Sequence, residues 1–304
     1  MNSFKIYIED PLRILYGLFR RTAPFFHDDA TYLKICYRLR VRKRLNLENP
    51  QTFSEKIQWL KLYNRRPEYT RMVDKYEVKA YISDIIGEKY VIPTIGIWNV
   101  PEEIKWDELP EKFVLKTTHG GGSVGVVICR DKDTFDKNKA IKNLEKSLKQ
   151  DIYSDLREWP YKNVKKRIIA EPLLEDYGVE ATDLADFKFY CFDGEPRYCQ
   201  VIQDRNTNET IDFFDMEWNH QEFVGLNPAA GPAVLCPQKP KRFEEMKSIA
   251  KKLSKNEPFV RVDLYEVRGR VYYGETTFYP ASGLGVFTPE KYNEILGKMI
   301  VLPC

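Results

Sequence analysis

The stretch 113–127, Phe-Val-Leu-Lys-Thr-Thr-His-Gly-Gly-Gly-Ser-Val-Gly-Val-Val, constrains this chain more than any other. A short apolar run of β type ends in Lys116 and opens into three consecutive glycines, Gly120, Gly121 and Gly122, followed by Ser123. Glycines let backbone N–H groups turn inward without side-chain clashes, and the serine adds a hydroxyl donor. Val124 to Ile128 then restores an apolar strand, so the pattern predicts a β-hairpin with a mobile tip rather than a strand-to-helix loop. No G-x-x-x-x-G-K-[ST] run occurs here and no helix follows to lend its dipole. The stretch suits a grip on phosphate, and taken alone it equally suits an ordinary flexible hairpin tip.

A second hairpin supplies chemistry of the opposite sign. Phe259-Val-Arg-Val-Asp-Leu-Tyr265 and Arg270-Val-Tyr-Tyr-Gly-Glu-Thr-Thr277 read as paired strands carrying Asp263 and Glu275. A three- or five-residue loop centred on Gly269 would set the two carboxylates directly opposite each other on one face. A two-residue loop would send them to opposite faces. Opposed carboxylates repel, and a divalent cation such as Mg²⁺ relieves that repulsion; a surface pairing with Arg261 or Arg270 is the competing account. Arg261 shares the strand face of Asp263, where it would meet an anionic intermediate. Lys188 alternates with Tyr190 on a third hairpin, Asp186-Phe-Lys-Phe-Tyr-Cys-Phe192, which turns at Asp193-Gly194. Lys75, Lys116 and Lys188 have no obvious carboxylate partner nearby in sequence. With the glycine-rich flap and the paired carboxylates, they point to a site for Mg-ATP.

The rest of the chain reads as α+β. Helical periodicity predicts helices over 52–64, from Asp74 to Gly87, after a Thr134 cap, over 243–253 and from Thr288-Pro289 onward. Arg167-Ile-Ile-Ala-Glu171 reads as a buried strand, and 204–240 as irregular loop with one short hairpin, suited to a substrate-facing lid. Near the N-terminus, Asp10-Pro11 predicts a capped helix whose Leu12, Leu15, Tyr16 and Phe19 form one apolar stripe. That stripe is expected to pack on its own domain, with an interfacial membrane contact as the alternative.

Charge and cysteine usage exclude several classes. The 48 Lys+Arg against 45 Asp+Glu leave only +3, so no overall field calls for a nucleic-acid partner. The basic run Arg38 to Arg44 is local. Six cysteines without a C-x-x-C pair read as free thiols in a reducing compartment, and histidines at 27, 119 and 220 are too scattered for a histidine metal site. With neither a membrane-spanning run nor a secretory pattern, the expected location is cytoplasmic, with room for peripheral attachment at the inner membrane face.

Asp74-Lys75, Phe113-Val-Leu-Lys116 with the His-Gly-Gly-Gly-Ser flap, Ile168-Ile-Ala-Glu-Pro-Leu-Leu174, Asp186-Phe-Lys188, Val260-Arg-Val-Asp263 and Gly274-Glu-Thr-Thr-Phe278 together resemble the ATP-grasp fold. More narrowly they resemble its TupA-like branch, associated with teichuronopeptide and surface-polysaccharide loci. The resemblance runs from about Tyr32 to Pro303. It implies an N-terminal, helix-rich region over 1–110, a small ATP-grasp lobe with the flap over 111–174, and a large lobe with the metal hairpin over 175–304. It further implies that Lys75 and Lys116 touch ATP phosphates while Gly120, Gly121, Gly122 and Ser123 close over them. Glu171, Pro172, Leu173 and Leu174 would read adenine, Asp186 would hold the ribose, and Asp263 and Glu275 would ligate Mg²⁺. Arg261 and Lys188 would serve catalysis, and His119 is a further candidate contact to phosphate or acceptor. At the second metal position many ATP-grasp enzymes have Glu-x-Asn. Here Thr277 offers a hydroxyl instead, a poorer ligand. The implied activity is a carboxylate-amine ligase acting on a surface polysaccharide or its precursor, with an anionic glycan, a uronic acid or an amino acid as substrate. A sugar or glycolipid kinase and a glycosyltransferase are the alternatives.

Overall fold

Local capping starts the N-terminal helices of this computed structural model, which describes residues 11–121, 124–176, 184–204, 208–226 and 230–303. Helix α1 (Pro11–Arg20) opens on its proline, while the expected Asp10 cap lies outside the described residues. Asp28 accepts from the amides of Ala30 and Thr31 to begin α2 (Asp29–Val41). Thr52 and Glu55 form a reciprocal capping box at the head of α3 (Phe53–Tyr63). After α4 (Glu68–Val73), the Asp74 carboxylate accepts from the amides of Tyr76 and Glu77 and so opens α5 (Glu77–Ile86), which Gly87 ends at φ 105°.

One expectation for α1 needs correction. Tyr16 and Phe19 pack inward against a cluster containing Ala23, Tyr32, Leu33, Cys36 and Tyr37, but Leu15 does not. Ile14, Leu15 and Leu18 are 45%, 49% and 53% exposed, so the helix carries a second, outward apolar face. The described part of 1–110 contributes to three separate cores: this cluster, the core of the larger sheet through Phe53, Ile57, Val78 and Ile82, and the smaller sheet through its first strand.

The smaller sheet holds β1 (Gly96–Trp98), β2 (Phe113–Thr117), β3 (Val126–Cys129) and β4 (Ile168–Pro172), all antiparallel, in the order β1-β4-β2-β3. The glycine-rich hairpin is thus present, with Phe113 opposite Cys129 and Lys116 opposite Val126. Its tip is described at Gly120, Gly121 and Val124, while Gly122 and Ser123 lie outside the described residues. Gly125 has φ +75°, and a Cβ there would stand 2.1 Å from Ser147 Oγ, so no other residue fits. Ser147 belongs to α6 (Lys137–Leu148), which packs Leu144 under Phe113, Leu115 and Ile168. That helix is capped by Asp136, whose carboxylate accepts from Lys139 N at 2.9 Å, and not by Thr134. A short α7 (Ile152–Leu156) leads back to β4.

The larger sheet has the order β10-β9-β5-β6-β7, built from β5 (Asp186–Phe192), β6 (Glu195–Gln203), β7 (Thr210–Asp215), β9 (Phe259–Val267) and β10 (Arg270–Thr277). The β5–β6 turn, Asp193-Gly194, has φ of 50° and 76°, the left-handed pair a tight two-residue hairpin demands. A full edge strand, β7, occupies part of the segment expected to be loop. Ile211, Phe213 and Phe214 are buried there, and the interposed Asp212 had obscured the run. β8 (Val224–Gly225) pairs with β11 (Phe287–Thr288). Helix α8 (Phe243–Leu253) seals the core with Phe243, Met246, Ile249 and Leu253, and α9 (Lys291–Met299) adds Tyr292 and Leu296.

Candidate active site

Three adjacent strands align the charged side chains in two rows. Lys188 on β5 pairs with Asp263 on β9, which pairs with Glu275 on β10. One step along, Tyr190, Arg261 and Thr277 are likewise abreast. Paired residues of neighbouring strands point to the same face, so all six share one side of the sheet.

The way Glu275 reaches that face differs from the sequence expectation. The β9–β10 turn has only two residues, Arg268-Gly269, which alone would set Gly274 opposite Asp263 and turn Glu275 away. A bulge between Tyr273 and Glu275 inserts one residue and restores the register. Gly274 fills the bulge, where an added Cβ would stand 2.7 Å from the Tyr265 ring and 3.1 Å from Asp263 O.

The electrostatics follow from burial. Arg261 Nε donates to Asp263 Oδ1 at 2.7 Å, and Nη2 donates to Asp263 Oδ2 at 2.8 Å, Thr277 Oγ1 at 3.1 Å and Glu275 Oε1 at 3.2 Å. Lys188 is held between Asp263 and Asp186, the latter at 2.7 Å. Complete burial pushes the Asp263 carboxyl up against the pull of Arg261 and Lys188. Burial would also raise Glu275, yet Lys75, Lys188 and Arg261 outweigh it and hold its pKa at about 2.

The smaller sheet and α5 face this surface across a cavity of about 630 Å³. Val114, Val126 and Ile128 supply an apolar wall beside Pro172, Leu173 and Leu174, with Lys75, Lys79, Lys116, Asp186, Lys188 and Glu275 among the polar lining. Lys75 Nζ donates to Gly120 O at 2.5 Å and lies 3.8 Å from Glu275 Oε2, so it bridges the flap to the carboxylate hairpin. Lys116 and Lys79 both bind the buried Glu171 carboxylate at 2.7 Å. Burial would raise Glu171; the two ammonium groups pull it below its usual value. The three lysines that look unpaired in sequence are therefore all paired in space, Lys75 and Lys116 through residues 200 and 55 positions away, and Lys188 both through Asp263 and, contrary to the expectation of no nearby partner, through Asp186 two positions before it. Lys79, four positions after Lys75 and off the apolar stripe of α5, joins them at the cavity although the sequence does not mark it as a site residue.

His119, Gly120, Gly121, Arg261, Asp263 and Thr277 do not line the cavity, and Asp263 is fully buried. Arg261 and Thr277 lie in the rows beneath it. His119 is 2% exposed and bonds through Nε2 to Ser147 O at 3.1 Å; its Nδ1 finds no partner among the described residues. Burial lowers its pKa to about 4, so at neutral pH the ring is an uncharged part of the hairpin's footing on α6. Nothing in this setting assigns it to a phosphate.

A family model described as TupA-like ATPgrasp matches residues 55–301. The chain belongs to that family. No curated protein matches it. Solved structures similar to this TupA-like ATP-grasp chain include D-alanine–D-alanine ligase from Bacillus anthracis complexed with ATP. That structure is 17% identical with a TM-score of 0.38, over 68% of this chain and 53% of the ligase. D-alanyl-alanine synthetase A from Vibrio cholerae is 11% identical with a TM-score of 0.44, over 81% and 68%. The ATP-grasp ligase PsnB complexed with minimal precursor, Mg and ADP is 14% identical with a TM-score of 0.36, over 74% and 57%. The TupA-like chain thus spans about half the length of the first of these.

A magnesium ion is implied by the ATP-grasp family, and the donor set fits it. Asp263, Glu275 and Thr277 offer oxygen only, the ligand type Mg²⁺ prefers; Glu275 lines the cavity, while Thr277 and Asp263 lie beneath it, the Asp263 oxygens held by Arg261 and Lys188, which an ion would have to displace. Arg261, Lys188 and Lys75 are the cations that balance these carboxylates here. Among the described residues no group of three or more His, Cys, Asp or Glu side chains gathers as a metal cage.

Proposed function

We propose that this chain is an ATP-dependent carboxylate-amine ligase that forms an amide and releases ADP and phosphate. The observation that carries the reading is the meeting of the Lys188–Asp263–Glu275 row with Lys75 and Lys116 across one cavity. In this proposal Val114, Val126 and Ile128 with residues 172–174 form the slot for the adenine, and Lys75 and Lys116 neutralise phosphate oxygens. Magnesium, when held by Asp263 and Glu275 with Thr277, supplies charge neutralisation for the phosphates. A substrate carboxylate oxygen attacks the γ-phosphorus as the bond to ADP breaks, giving an acylphosphate. An amine nitrogen then attacks the acyl carbon, phosphate departs and the nitrogen loses a proton. Arg261, held beneath the cavity by two hydrogen bonds to Asp263, would have to swing toward the cavity to meet the oxyanion of that second step. Positioning and charge neutralisation provide the rate enhancement in such chemistry.

We take the substrate to be a cell-surface polysaccharide or its precursor, bearing a uronic-acid or amino-acid carboxylate. The test incubates the protein with Mg-ATP, surface-glycan fractions and an amino-acid pool, then measures free phosphate and condensation products by mass spectrometry. A ligase yields phosphate and an amide together. Retention of the phosphoryl group on the product would make it a kinase, and dependence on a nucleotide-sugar without ATP a glycosyltransferase.

A further inference from the structure

Helix α1 holds more apolar surface than the fold uses. Ten residues at 1.5 Å rise give about 15 Å, far too short to span a bilayer of about 30 Å. Among the described residues no helix is long and apolar enough to do so. At 100° per residue, Leu12, Tyr16 and Phe19 fall on one side and Ile14, Leu15 and Leu18 on another, with Arg13 between the two sides. The first side is committed to the protein: Phe19 stacks on Tyr32 at 5.2 Å and meets Phe26 edge-on at 5.2 Å. The second is not, and just beyond it Phe25 is 78% exposed.

The orientation of this face is fixed by contacts elsewhere. Arg20 donates to Asp155 at 2.6 Å, tying the helix end to α7. Arg157 Nη2 donates to the carbonyls of Ala23 and Phe26 at 2.8 and 3.0 Å, clamping the turn that leaves Phe25 outward. The fold thus braces the helix from within while its other apolar side points away.

Charge identifies the occupant. From Pro11 to His27 the chain carries Arg13, Arg20 and Arg21 and no acidic residue. Arg40, from the neighbouring α2, lies over the Tyr16 ring at 5.6 Å, and exposed Arg38, Arg42 and Arg44 lie in the same helix and its exit, beside Lys43, which is paired with Glu290. Isolated aliphatic tips and an aromatic ring, accompanied by cations, match the headgroup–acyl boundary of a membrane with anionic lipid. A second copy of the same face would bring like charges together.

We propose that α1 and Phe25 form an interfacial docking surface for an anionic lipid bilayer, into which Ile14, Leu15, Leu18 and Phe25 insert while Arg13, Arg21 and the 38–44 run meet headgroups. This attachment does not depend on the reaction carried out in the cavity. The full-length protein is to be floated with vesicles of phosphatidylcholine alone and of phosphatidylcholine mixed with phosphatidylglycerol. Comparison variants are Leu15→Glu/Leu18→Glu and Arg21→Glu, with circular dichroism and melting as controls for fold. The expected result is flotation with the anionic vesicles only, reduced about tenfold or more by the Leu double substitution and by raised salt, and reduced less by Arg21→Glu. Equal flotation of wild type and double variant, or no flotation of the wild type, overturns the proposal. So does concentration-dependent dimerisation in ultracentrifugation that the double variant abolishes, which would assign the face to a second copy.

Discussion

Asp263 and Glu275 face each other across β9 and β10 because Gly274 forms a bulge between them and a two-residue turn. Without that extra residue Glu275 would lie on the opposite face of the sheet, away from Arg261 and Lys75. The site's carboxylate pair is thus a product of one irregularity in an otherwise regular ladder. Each expected outcome below tests a relationship of this kind.

Gly274→Val is expected to disable the site with a modest loss of stability. Its side chain would meet the Tyr265 ring and the Asp263 carbonyl, so either Tyr265 shifts or the bulge closes. Overpacking of this sort costs about 1–3 kcal/mol. Thermal melting should show that loss, and phosphate release from ATP should fall by far more than the melting shift accounts for.

The two carboxylates should separate function from stability. Glu275 is 36% exposed at the cavity edge but its charge is held by Lys75 and Arg261, so Glu275→Gln should lower the melting temperature by less than Asp263→Asn while Mg-dependent turnover falls about a hundredfold. Asp263 is fully buried between Arg261 and Lys188, and Asp263→Asn leaves both cations short of counter-charge. Denaturant unfolding should show a cost of roughly 3–5 kcal/mol for that change. Equal stability of the two variants would contradict this picture.

Glu171→Gln should loosen the cavity wall by releasing Lys79 and Lys116 from their shared partner. Both lysines keep some solvent contact, so about 1–3 kcal/mol of destabilisation is expected, below the range for a dry pair. Nucleotide titration of the purified variant by calorimetry should show altered affinity. An unchanged affinity would mean that this ion-pair triad only supports the strand.

His119 predicts a pH effect of known sign. Its folded pKa of about 4 lies below the ordinary histidine value of 6.5, so the unfolded chain binds more protons between those pH values. Stability therefore rises with pH across that window and is lost as pH falls from about 6.5 toward 4. The contribution is of order 2–3 kcal/mol. Urea unfolding at pH 4.5 and 7 should show a smaller difference for His119→Gln than for the wild type.

Much of the site was legible because its parts are locally encoded. The apolar run into Lys116 and the three glycines mark the β2–β3 hairpin, Asp193-Gly194 marks the turn between β5 and β6, and Asp263 and Glu275 are acidic residues within strand patterns that otherwise read as core. Partnership was not legible. Lys79 reaches Glu171 across 92 positions, and Lys188 reaches Asp263 across 75, distances over which spacing carries no information. The strand β7 was missed because a buried Asp212, held by His220 at 2.8 Å, breaks the apolar pattern that would announce it. The outward face of α1 was missed for a related reason: periodicity finds an apolar stripe, but which stripe is buried depends on the neighbour that arrives.

By itself, then, the sequence determined the elements and the residue types available to the site: strands by alternation, helices by capping, a hairpin tip by its glycines, and oxygen ligands beside ammonium groups. Tertiary structure decided which charges meet, since sheet order brings β5 beside the β9–β10 hairpin although the chain visits β5 far earlier. It also decided the face of Glu275, because a bulge is set by the space around Gly274, between the Tyr265 ring and the Asp263 carbonyl, and not by the residues on either side of it in the chain. Short-range preferences act through one residue's own backbone and its nearest neighbours. Ion pairing, register and burial act through whatever the fold places within a few ångströms, and that is known only once the chain has closed on itself.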